Sequence, residues 1–332
     1  MKRLAKNKIQ IALQKTMPSE TVKSKKLKRK IREGREEEEK EQNVEIIWVT
    51  RCKARIEEGG LAHLGTAITR DQITTFVSKD CDVYDSETKK LLARYRTGVL
   101  SQENIDLFYE NVIKMANGKS NFRRKAAGKV HVKSNIFGYY DKFGPHVHTA
   151  LKGSEYKPKM RVRECAFNIK HPNKYINTFP LIGEINNLFA AFVPHSYNMQ
   201  MEKAAEKPCF QIASTCFTTI TTNINFQTNV HIDKNDFEEG FGNLVVIEKN
   251  GKYIGGETCF PEYGIGFDVR MGSILFMDVH IPHANLPIVL ENPSAIRLSI
   301  VCYLRPGIFA KASTFSNDEC MEHLKKLSDY IK

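Results

Sequence analysis

The sequence predicts a mainly β fold of the α+β class, an antiparallel sandwich or jelly roll with helices packed on one outer sheet. After residue 210, short β-rich runs are separated by Gly, Pro and Asn. The runs are 211–222, 243–248, 253–260, 264–269, 273–279 and 295–304. Upstream, residues 81–96 have the pattern of two strands joined by a polar turn. Many short strands joined by turns are typical of two packed antiparallel sheets.

Two amphipathic segments predict the helices that cover the outer sheet. In residues 102–117 the apolar side chains recur at helical spacing. They are Ile105, Phe108, Val112, Ile113 and Met115. Residues 180–192 show a second apolar stripe, with Pro180 suited to a first turn and Pro194 beyond the end. Both helices therefore precede the β-rich half.

The later runs predict strands because β-branched and aromatic residues dominate them. N-L-V-V-I-E (243–248), S-I-L-F-M-D-V (273–279) and A-I-R-L-S-I-V-C-Y-L (295–304) are the clearest. Each is bounded by Gly, Asn or Pro, which favour turns. No internal repeat accompanies them, so we expect one β-rich core.

Charge separates the N-terminus from the rest of the 332 residues. The formal net charge is +12, and residues 1–40 contain 14 Lys or Arg against 6 Asp or Glu, a net of +8. Low hydrophobicity and blocks of like charge predict a disordered tail over 1–43. Its basic run 23–32 is either a nuclear-import or nucleic-acid arm, or a plain solvated tail.

We predict a single domain over 44–332 behind this tail. It divides into an α/β elaboration (44–205), a β-rich core (206–310) and a C-terminal helix (311–332). The 8 cysteines form no C-x-x-C motif, which indicates free thiols and a reducing compartment. No signal sequence or apolar run of the ~20 residues that a membrane helix needs is seen. We therefore expect an intracellular monomer with no membrane partner.

The stretch N-V-H-I-D-K-N-D-F (229–237) contains the first candidate site residues. If it is a strand, His231 and Asp233 project to the same face, because strands alternate with a period of two. Two interpretations fit this geometry: half of a metal site, or two polar residues on a solvated sheet face. The remainder of the chain must distinguish them.

A third ligand and an anion anchor follow in order. The segment 271–287 offers His280 and His283, which would face opposite sides of a simple strand. Two histidines and a carboxylate form the facial triad of non-haem Fe(II) oxygenases. On the next predicted strand, Arg297 and Ser299 face one side, where an arginine can bind a carboxylate through two N–H bonds. The order H-x-D, His, R-x-S predicts an Fe(II)/2-oxoglutarate site.

Longer motifs resemble the TET/JBP family of nucleic-acid-base dioxygenases. They are T-T-I-T-T-N-I-N-F-Q-T-N-V-H-I-D-K-N-D-F-E-E-G-F-G-N-L-V-V-I, G-x-E-x-x-F-P-x-Y-x-I-G-x-D-V, M-D-V-H-x-x-H-x-N-x-P and R-L-S-I-V-C-Y-L-R. The resemblance covers about 80–310, is strongest over 211–305, and is closest to algal, fungal and viral members. It implies a double-stranded β-helix, a cupin-like jelly roll.

The resemblance also implies an activity. Family members hydroxylate the C5-methyl group of a pyrimidine in DNA, 5-methylcytosine or thymine, with Fe(II), 2-oxoglutarate and O2, on a base flipped out of the helix. By this likeness His231, Asp233 and His283 are the catalytic metal ligands, with His283 preferred over His280. Arg297 and Ser299 would hold the distal carboxylate of 2-oxoglutarate.

The likeness assigns Asp236 and Asn285 to substrate binding. A carboxylate at Asp236 could accept from cytosine N4–H2 or thymine N3–H, so it does not name the base. A turn-capping role for Asp236 is the alternative. Where relatives have a basic residue for the C1 carboxylate, this chain has N-F-Q at 225–227. That subsite stays unassigned, and use of ascorbate, as in one branch of the family, stays open.

Other functions fit part of the pattern. The same fold could hydroxylate protein, RNA or a free nucleobase, or serve as an inactive jelly-roll module that binds nucleic acid. The tail and the basic segment Arg123, Arg124 and Lys125 are candidates to contact phosphates, or are plain surface. DNA is the expected partner, and the nucleus is the expected location, or the host-cell interior if the source is viral.

Overall fold

The computed structural model describes residues 44–52, 64–118, 121–123 and 130–331. The chain divides into two units, Met1–Glu45 and Ile46–Lys332. The predicted tail 1–43, with its basic run, lies outside the described residues, as do Arg124 and Lys125. The predicted division into 1–43 and 44–332 stays a prediction.

Seventeen strands and eight helices are described. The strands are β1 Glu45–Val49, β2 Thr75–Val77, β3 Cys81–Asp85, β4 Leu91–Arg96, β5 Asn121–Arg123, β6 Val130–Val132, β7 Ser134–Tyr140, β8 Arg163–Glu164, β9 Thr219–Ile224, β10 Gly242–Lys249, β11 Tyr253–Gly255, β12 Thr258–Phe260, β13 Ile265–Phe267, β14 Ile274–Met277, β15 Ala284–Asn285, β16 Ile288–Leu290 and β17 Ile296–Tyr303. The helices are α1 Gln102–Ala116, α2 Pro145–Leu151, α3 Ala166–Lys170, α4 Pro172–Ile176, α5 Phe179–Phe192, α6 Pro194–Ala205, α7 Pro306–Ala312 and α8 Asn317–Ile331.

The strands form one large and three small sheets. The large sheet has the order β1-β3-β4-β14-β10-β17-β9-β7-β8, and a four-stranded sheet has the order β15-β12-β13-β2. The other two sheets pair β11 with β16 and β5 with β6. Apolar residues of the two larger sheets form one cluster, in which Leu244 and Met277 pack with Phe260 and Phe267. The predicted mainly β, jelly-roll architecture is therefore confirmed.

The helices cover the opposite face of the large sheet, as predicted. Along β17, Leu298, Ile300 and Cys302 belong to the helix-facing cluster, together with Phe108 of α1 and Phe189 of α5. Because strand side chains alternate, Arg297, Ser299, Val301 and Tyr303 face the other way, toward the small sheet. We call this second face the inner face.

A charged cluster attaches α5 to the large sheet. Arg94 and Arg96 of β4 both pair with Asp82 of β3. Arg94 also donates to the backbone carbonyl of Phe192, the last residue of α5. The last carbonyls of a helix have no partner within it and carry partial negative charge, so an arginine there stabilises the helix end.

Two predicted strands differ from the structure. Within 211–222 only β9 is a strand, because Ala213 (φ 51°) and Ser214 (φ 58°) form a left-handed turn before it. The run 253–260 is two strands, β11 and β12, separated at Gly255 (φ 82°) and Gly256 (φ 76°). A Cβ on Gly255 would lie 1.9 Å from the Pro287 carbonyl oxygen, so the chain turns there with no side chain.

The other predicted elements are present. The hairpin is β3 and β4, and the amphipathic segments are α1 and α5. At the C-terminus the structure has two helices, α7 and α8, where one helix over 311–332 was expected. Among the described residues, no helix combines the length and apolarity needed to cross a bilayer.

Replacing Phe276 by Ala should destabilise the sheet–helix interface. Phe276 of β14 is fully buried and stacks on Phe189 at 5.8 Å between ring centroids. Loss of a buried phenyl ring leaves a cavity and costs about 3–5 kcal/mol. The free energy of unfolding measured in urea checks this. Ile254→Ala is the control, because Ile254 is 73% exposed. Equal effects of the two substitutions would contradict the assigned packing.

Candidate metal centre

His231 and His283 face each other across an isolated antiparallel bridge. The His231 N–H donates to the His283 carbonyl at 2.9 Å, and the His283 N–H donates to the His231 carbonyl at 3.0 Å. The rest of 225–237 is not a strand, so the prediction of a strand there is wrong. The left-handed Asn225 (φ 46°) ends β9, and the bridge then holds the loop that follows, together with backbone bonds between Val230 and the segment Gly65–Thr66.

Backbone carbonyls orient both imidazole rings. Nδ1 of His231 lies 2.7 Å from the Asn229 carbonyl oxygen, and Nδ1 of His283 lies 2.9 Å from the Ile281 carbonyl oxygen. A carbonyl can only accept, so each Nδ1 carries the hydrogen and each neutral ring keeps its lone pair on Nε2. Such a partner on the second nitrogen is the usual way in which proteins orient a metal-binding histidine.

Asp233 completes the group. Its backbone N–H donates to the Val279 carbonyl at 3.0 Å, which joins the loop to the segment after β14. Its carboxylate oxygens lie 3.9 Å from Nε2 of His231 and 3.7 Å from Nε2 of His283. The three ligand atoms all lie within 4.8 Å of one another. The His283 side chain is 5% exposed and that of Asp233 38%, so the group opens on the carboxylate side.

The surroundings favour a neutral His231 beside an ionised Asp233. Burial and the neighbouring His283 lower the pKa of His231 to about 4. Burial alone would raise the pKa of Asp233, but the adjacent imidazoles of His283 and His231 lower it to about 2. Burial likewise opposes protonation of His283, and Asp233 outweighs it, so the pKa of His283 is raised. Asp233 thus attracts positive charge to this position.

The group fits Fe(II). Two imidazole nitrogens and one carboxylate on one side are the facial triad that leaves positions open for other ligands. His280 is not part of this group. Its ring Nε2 contacts the Phe237 carbonyl at 3.1 Å, and its backbone N–H donates to the Asp278 carboxylate at 2.9 Å. Of the two candidate third ligands, the structure therefore brings His283 to the group. Its role as a ligand stays a prediction.

Arg297 and Ser299 lie on the inner face of β17. Arg297 is 3% exposed and forms no ion pair with any carboxylate in the described part of the chain. Its Nη2 donates to the Gly256 carbonyl at 2.9 Å, and its Nε is buried without a partner. A buried charge without a counterion is costly, so this guanidinium fits an anionic ligand. The predicted anchor for a 2-oxoglutarate carboxylate is consistent with this.

Asp236 lies in the turn that follows Asp233. Its N–H donates to the Asp233 carbonyl at 3.1 Å, which accounts for the turn through the backbone alone. Burial and the charge of Asp233 raise the pKa of the Asp236 carboxyl well above its usual range, while Arg305 opposes the rise. The carboxyl of Asp236 therefore lies within electrostatic range of both Asp233 and Arg305. Its contact with a base stays a prediction.

Asn285 has a structural set of partners. Its Oδ1 accepts from the Thr228 N–H at 2.7 Å and from the Thr228 hydroxyl at 2.6 Å. Its Nδ2 donates to the carbonyls of Phe226 at 3.3 Å and Leu286 at 3.2 Å. These bonds tie β15 to the segment that leads into His231. The substrate contact predicted for Asn285 stays a prediction. In this structure its side-chain amide holds the segment before His231 in place.

Further polar residues on the inner face were not predicted. The hydroxyls of Thr221 and Tyr303 lie 3.1 Å apart, and Asn223 Nδ2 donates to Ser299 Oγ at 3.4 Å. Thr221 and Asn223 are partly exposed although β9 lies inside the large sheet, whereas Thr222 and Ile224 on the helix side are buried. The inner side of β9 is therefore incompletely covered. The polar residues of T-I-T-T-N-I (219–224) were the sequence signal for it.

Loss of His283 should weaken binding of Mn(II), used as a stand-in for Fe(II), far more than loss of His280. In His283→Ala one of three donors disappears, so the affinity should fall by more than the roughly 10–100-fold that loss of an outer partner costs. His280→Ala keeps all three donors and should stay near wild type. Calorimetric titration of metal-free protein with Mn(II) measures both. Comparable losses in the two variants would contradict the assignment.

Comparison with known proteins agrees with this geometry. The family model described as "Tet_JBP: Oxygenase domain of the 2OGFeDO superfamily" matches residues 151–306. The chain is 29% identical over 245 residues to the "Bifunctional helicase and thymine dioxygenase JBP2" of Leishmania braziliensis, covering 74% of this chain and 20% of that protein. It is 28% identical over 200 residues to the "Thymine dioxygenase JBP1" of Trypanosoma brucei brucei, covering 60% of this chain and 22% of that protein.

Among solved structures, "NgTET1 in complex with 5mC DNA" aligns with a TM-score of 0.51 and 14% identity over 81% of this chain and 85% of that one. At this identity the likeness supports the fold. The chain spans about a fifth of the length of the curated relatives named above. The resemblance inferred from the motifs is confirmed: residues 151–306 match the model of the Tet_JBP oxygenase domain of the 2OGFeDO superfamily.

Proposed function

We propose that this chain is an Fe(II)/2-oxoglutarate-dependent dioxygenase that hydroxylates the C5-methyl group of a pyrimidine in DNA. The observation that carries the proposal is the His231, Asp233 and His283 group, in a chain whose inner face also holds the unpaired, buried cation of Arg297. A metal group alone would fit many reactions. The buried, unpaired cation favours a carboxylate cosubstrate.

Relatives support the choice of a pyrimidine methyl group. The trypanosomatid proteins are named thymine dioxygenases, and NgTET1 is described in complex with 5-methylcytosine DNA. The sequence likeness to the thymine dioxygenases is the greater, at 28–29% against 14%. Thymine is therefore the first base to test, and 5-methylcytosine is the second. The helicase activity named for the longer relatives is not part of the proposal.

The chain's own residues would divide the work. When bound, iron with 2-oxoglutarate and O2 supplies the oxidising power that converts a methyl C–H into C–OH. His231, Asp233 and His283 would hold the metal, with the Nδ1–H bonds to Asn229 and Ile281 keeping both rings in place. Arg297 and Ser299 would hold the distal carboxylate and so orient the 2-oxo acid toward the metal.

The substrate side would be formed by the loop after Asp233. Asp236 lies beside the metal group and would accept a hydrogen from the base. The Thr221–Tyr303 hydroxyl pair on the wall would limit how the base sits. Asn285 would act through the loop that it braces, or contact the substrate directly as first predicted. Because bases in a duplex are stacked, the target would be flipped out of the helix to reach the metal group.

Partners and location follow from the same proposal. DNA would be the partner, with the basic tail before residue 44 contacting phosphates and binding that weakens as salt rises. The nucleus is the proposed location, or the interior of a host cell for a viral source. We also propose that the chain acts as a monomer. Residues 44–332 would form one catalytic domain with its β core at 206–310.

Treating thymine-containing and 5-methylcytosine-containing duplexes with the protein, Fe(II) and 2-oxoglutarate should give 5-hydroxymethyluracil or 5-hydroxymethylcytosine. Nucleoside mass spectrometry measures both products, and succinate release measures cosubstrate turnover. His231→Ala should abolish both signals, because the metal loses a donor, and His280→Ala should retain them. Succinate without either modified base would favour a protein, RNA or free-nucleobase substrate. No iron-dependent turnover, with or without ascorbate, would favour an inactive binding module.

Replacing Asp236 by Ala should reduce DNA oxidation without disturbing the metal group. The turn uses the backbone N–H of Asp236, which Ala keeps. Loss of one hydrogen bond, worth about 0.5–1.5 kcal/mol, predicts a fall in kcat/KM for DNA of about 2–10-fold. Mn(II) affinity should stay near wild type. A variant that loses metal affinity and kcat/KM in parallel would show that Asp236 only shapes the turn.

A further inference from the structure

Tyr253 of β11 is a buried phenol with no hydrogen-bond partner. The residue is 5% exposed, and its hydroxyl makes no hydrogen bond within the described structure. A buried polar group without a partner is costly, and native proteins contain few of them. Arg297 Nε is likewise buried and without a hydrogen-bond partner in the described structure. Two unpartnered groups in adjacent side chains indicate a missing ligand.

Two arginines hold the Tyr253 ring in place. The guanidinium carbon of Arg270 lies 4.3 Å from the ring centroid and that of Arg297 lies 5.7 Å from it, both within cation–π range. Arg270 is itself fixed, because its Nε donates to Asp268 at 2.6 Å and its Nη1 to the Tyr253 carbonyl at 3.4 Å. The phenol is therefore held against Arg297 before any ligand arrives.

The hydroxyl lies within electrostatic reach of Arg297. Burial raises the pKa of Tyr253, and the Arg297 charge opposes that rise. The backbone after Tyr253 then passes over the same guanidinium: a Cβ on Gly256 would lie 2.9 Å from Arg297 Nε, and the Gly256 carbonyl accepts from Nη2 at 2.9 Å. The segment 253–256 thus wraps around Arg297 and fixes its orientation.

The two unpartnered groups on this wall, Tyr253 and Arg297, can both donate. Tyr253 offers an O–H and Arg297 an N–H. Ser299, on the same face of β17, accepts from Asn223 Nδ2, so its own hydroxyl hydrogen is free to point elsewhere. Three donors and one positive charge on one wall call for an acceptor that is anionic and has at least two oxygens. A carboxylate meets these requirements, whereas a water molecule would leave the charge unpaired.

We propose that Tyr253 is a third donor to the distal carboxylate of the cosubstrate, and that it makes the site selective for a dicarboxylic 2-oxo acid. The inference rests on the proposed function, since it names a residue of the same cosubstrate site. Arg297 supplies the charge, Ser299 one hydroxyl and Tyr253 the other. Selectivity arises because a 2-oxo acid without the second carboxylate leaves all three donors buried and unpaired.

The test uses the full chain loaded with Mn(II), which binds ligands without turnover, and isothermal titration calorimetry. The ligands are 2-oxoglutarate and 2-oxopentanoate, which has the same five carbons but no distal carboxylate. Tyr253→Phe removes only the hydroxyl. Tyr263→Phe is the matched control, because its hydroxyl donates to Asp85 at 2.8 Å, outside this wall.

Tyr253→Phe should raise the Kd for 2-oxoglutarate about tenfold or more, as expected for one lost hydrogen bond to a charged group. The Kd for 2-oxopentanoate should change by less than about twofold, and so should both values in Tyr263→Phe. The melting temperature of metal-free Tyr253→Phe should not fall, because the hydroxyl has no partner to lose. A merely structural role would lower that temperature and weaken both ligands equally.

The outcomes separate the inference from the proposed function. If wild type binds 2-oxoglutarate and Tyr253→Phe binds it equally well, or loses both ligands by the same factor, the role of Tyr253 is refuted and the dioxygenase proposal stands. If wild type loaded with Mn(II) does not bind 2-oxoglutarate at all, the proposed function fails, and the role of Tyr253 fails with it.

Discussion

The backbone bridge between His231 and His283 is the constraint on which the site depends. Two hydrogen bonds join a loop that follows β9 to a turn that follows β14, and backbone bonds between Val230 and the segment Gly65–Thr66 hold the neighbouring residue of the loop. Everything around the bridge supports it, from the Asn285 amide that ties Thr228 in place to the Asp233 N–H on the Val279 carbonyl. The three ligand atoms converge because backbone geometry, rather than side-chain contact, fixes them.

The inner face combines two requirements that oppose each other. Between the sheets near β12 and β13, apolar side chains fill the space and stabilise the fold. Over β9 and β17 the same face is polar and partly open, with a buried cation and unpartnered donors that cost stability in the absence of a ligand. The helix-facing cluster on the other side of these strands offsets that cost, because it buries the alternate residues of β9 and β17 completely.

Periodicity predicted the fold, and the order of motifs predicted the chemistry of the site. The residues 102–117, 180–192 and 81–96 formed the expected elements because local pattern and packing agree there. Strand alternation could not choose between His280 and His283, since 278–283 is not a strand and backbone bonds orient His283 instead. Tyr253 escaped prediction because its neighbours Arg270 and Arg297 come from other strands and loops, which no local pattern brings together.

The helix layer behind β9 and β17 has a consequence for how such a protein can change. Arg297 and Ser299 stand on strands held from behind by a closed apolar cluster, whereas Asp236 stands on a loop whose turn needs only its backbone. Substitutions in the loop can accumulate without moving the strands. Substitutions that move the strands are hard to accommodate, because the apolar cluster behind them is closed. The residues proposed to hold the cosubstrate are therefore fixed by the packing of the fold, whereas the residue proposed to contact the base can be exchanged one substitution at a time.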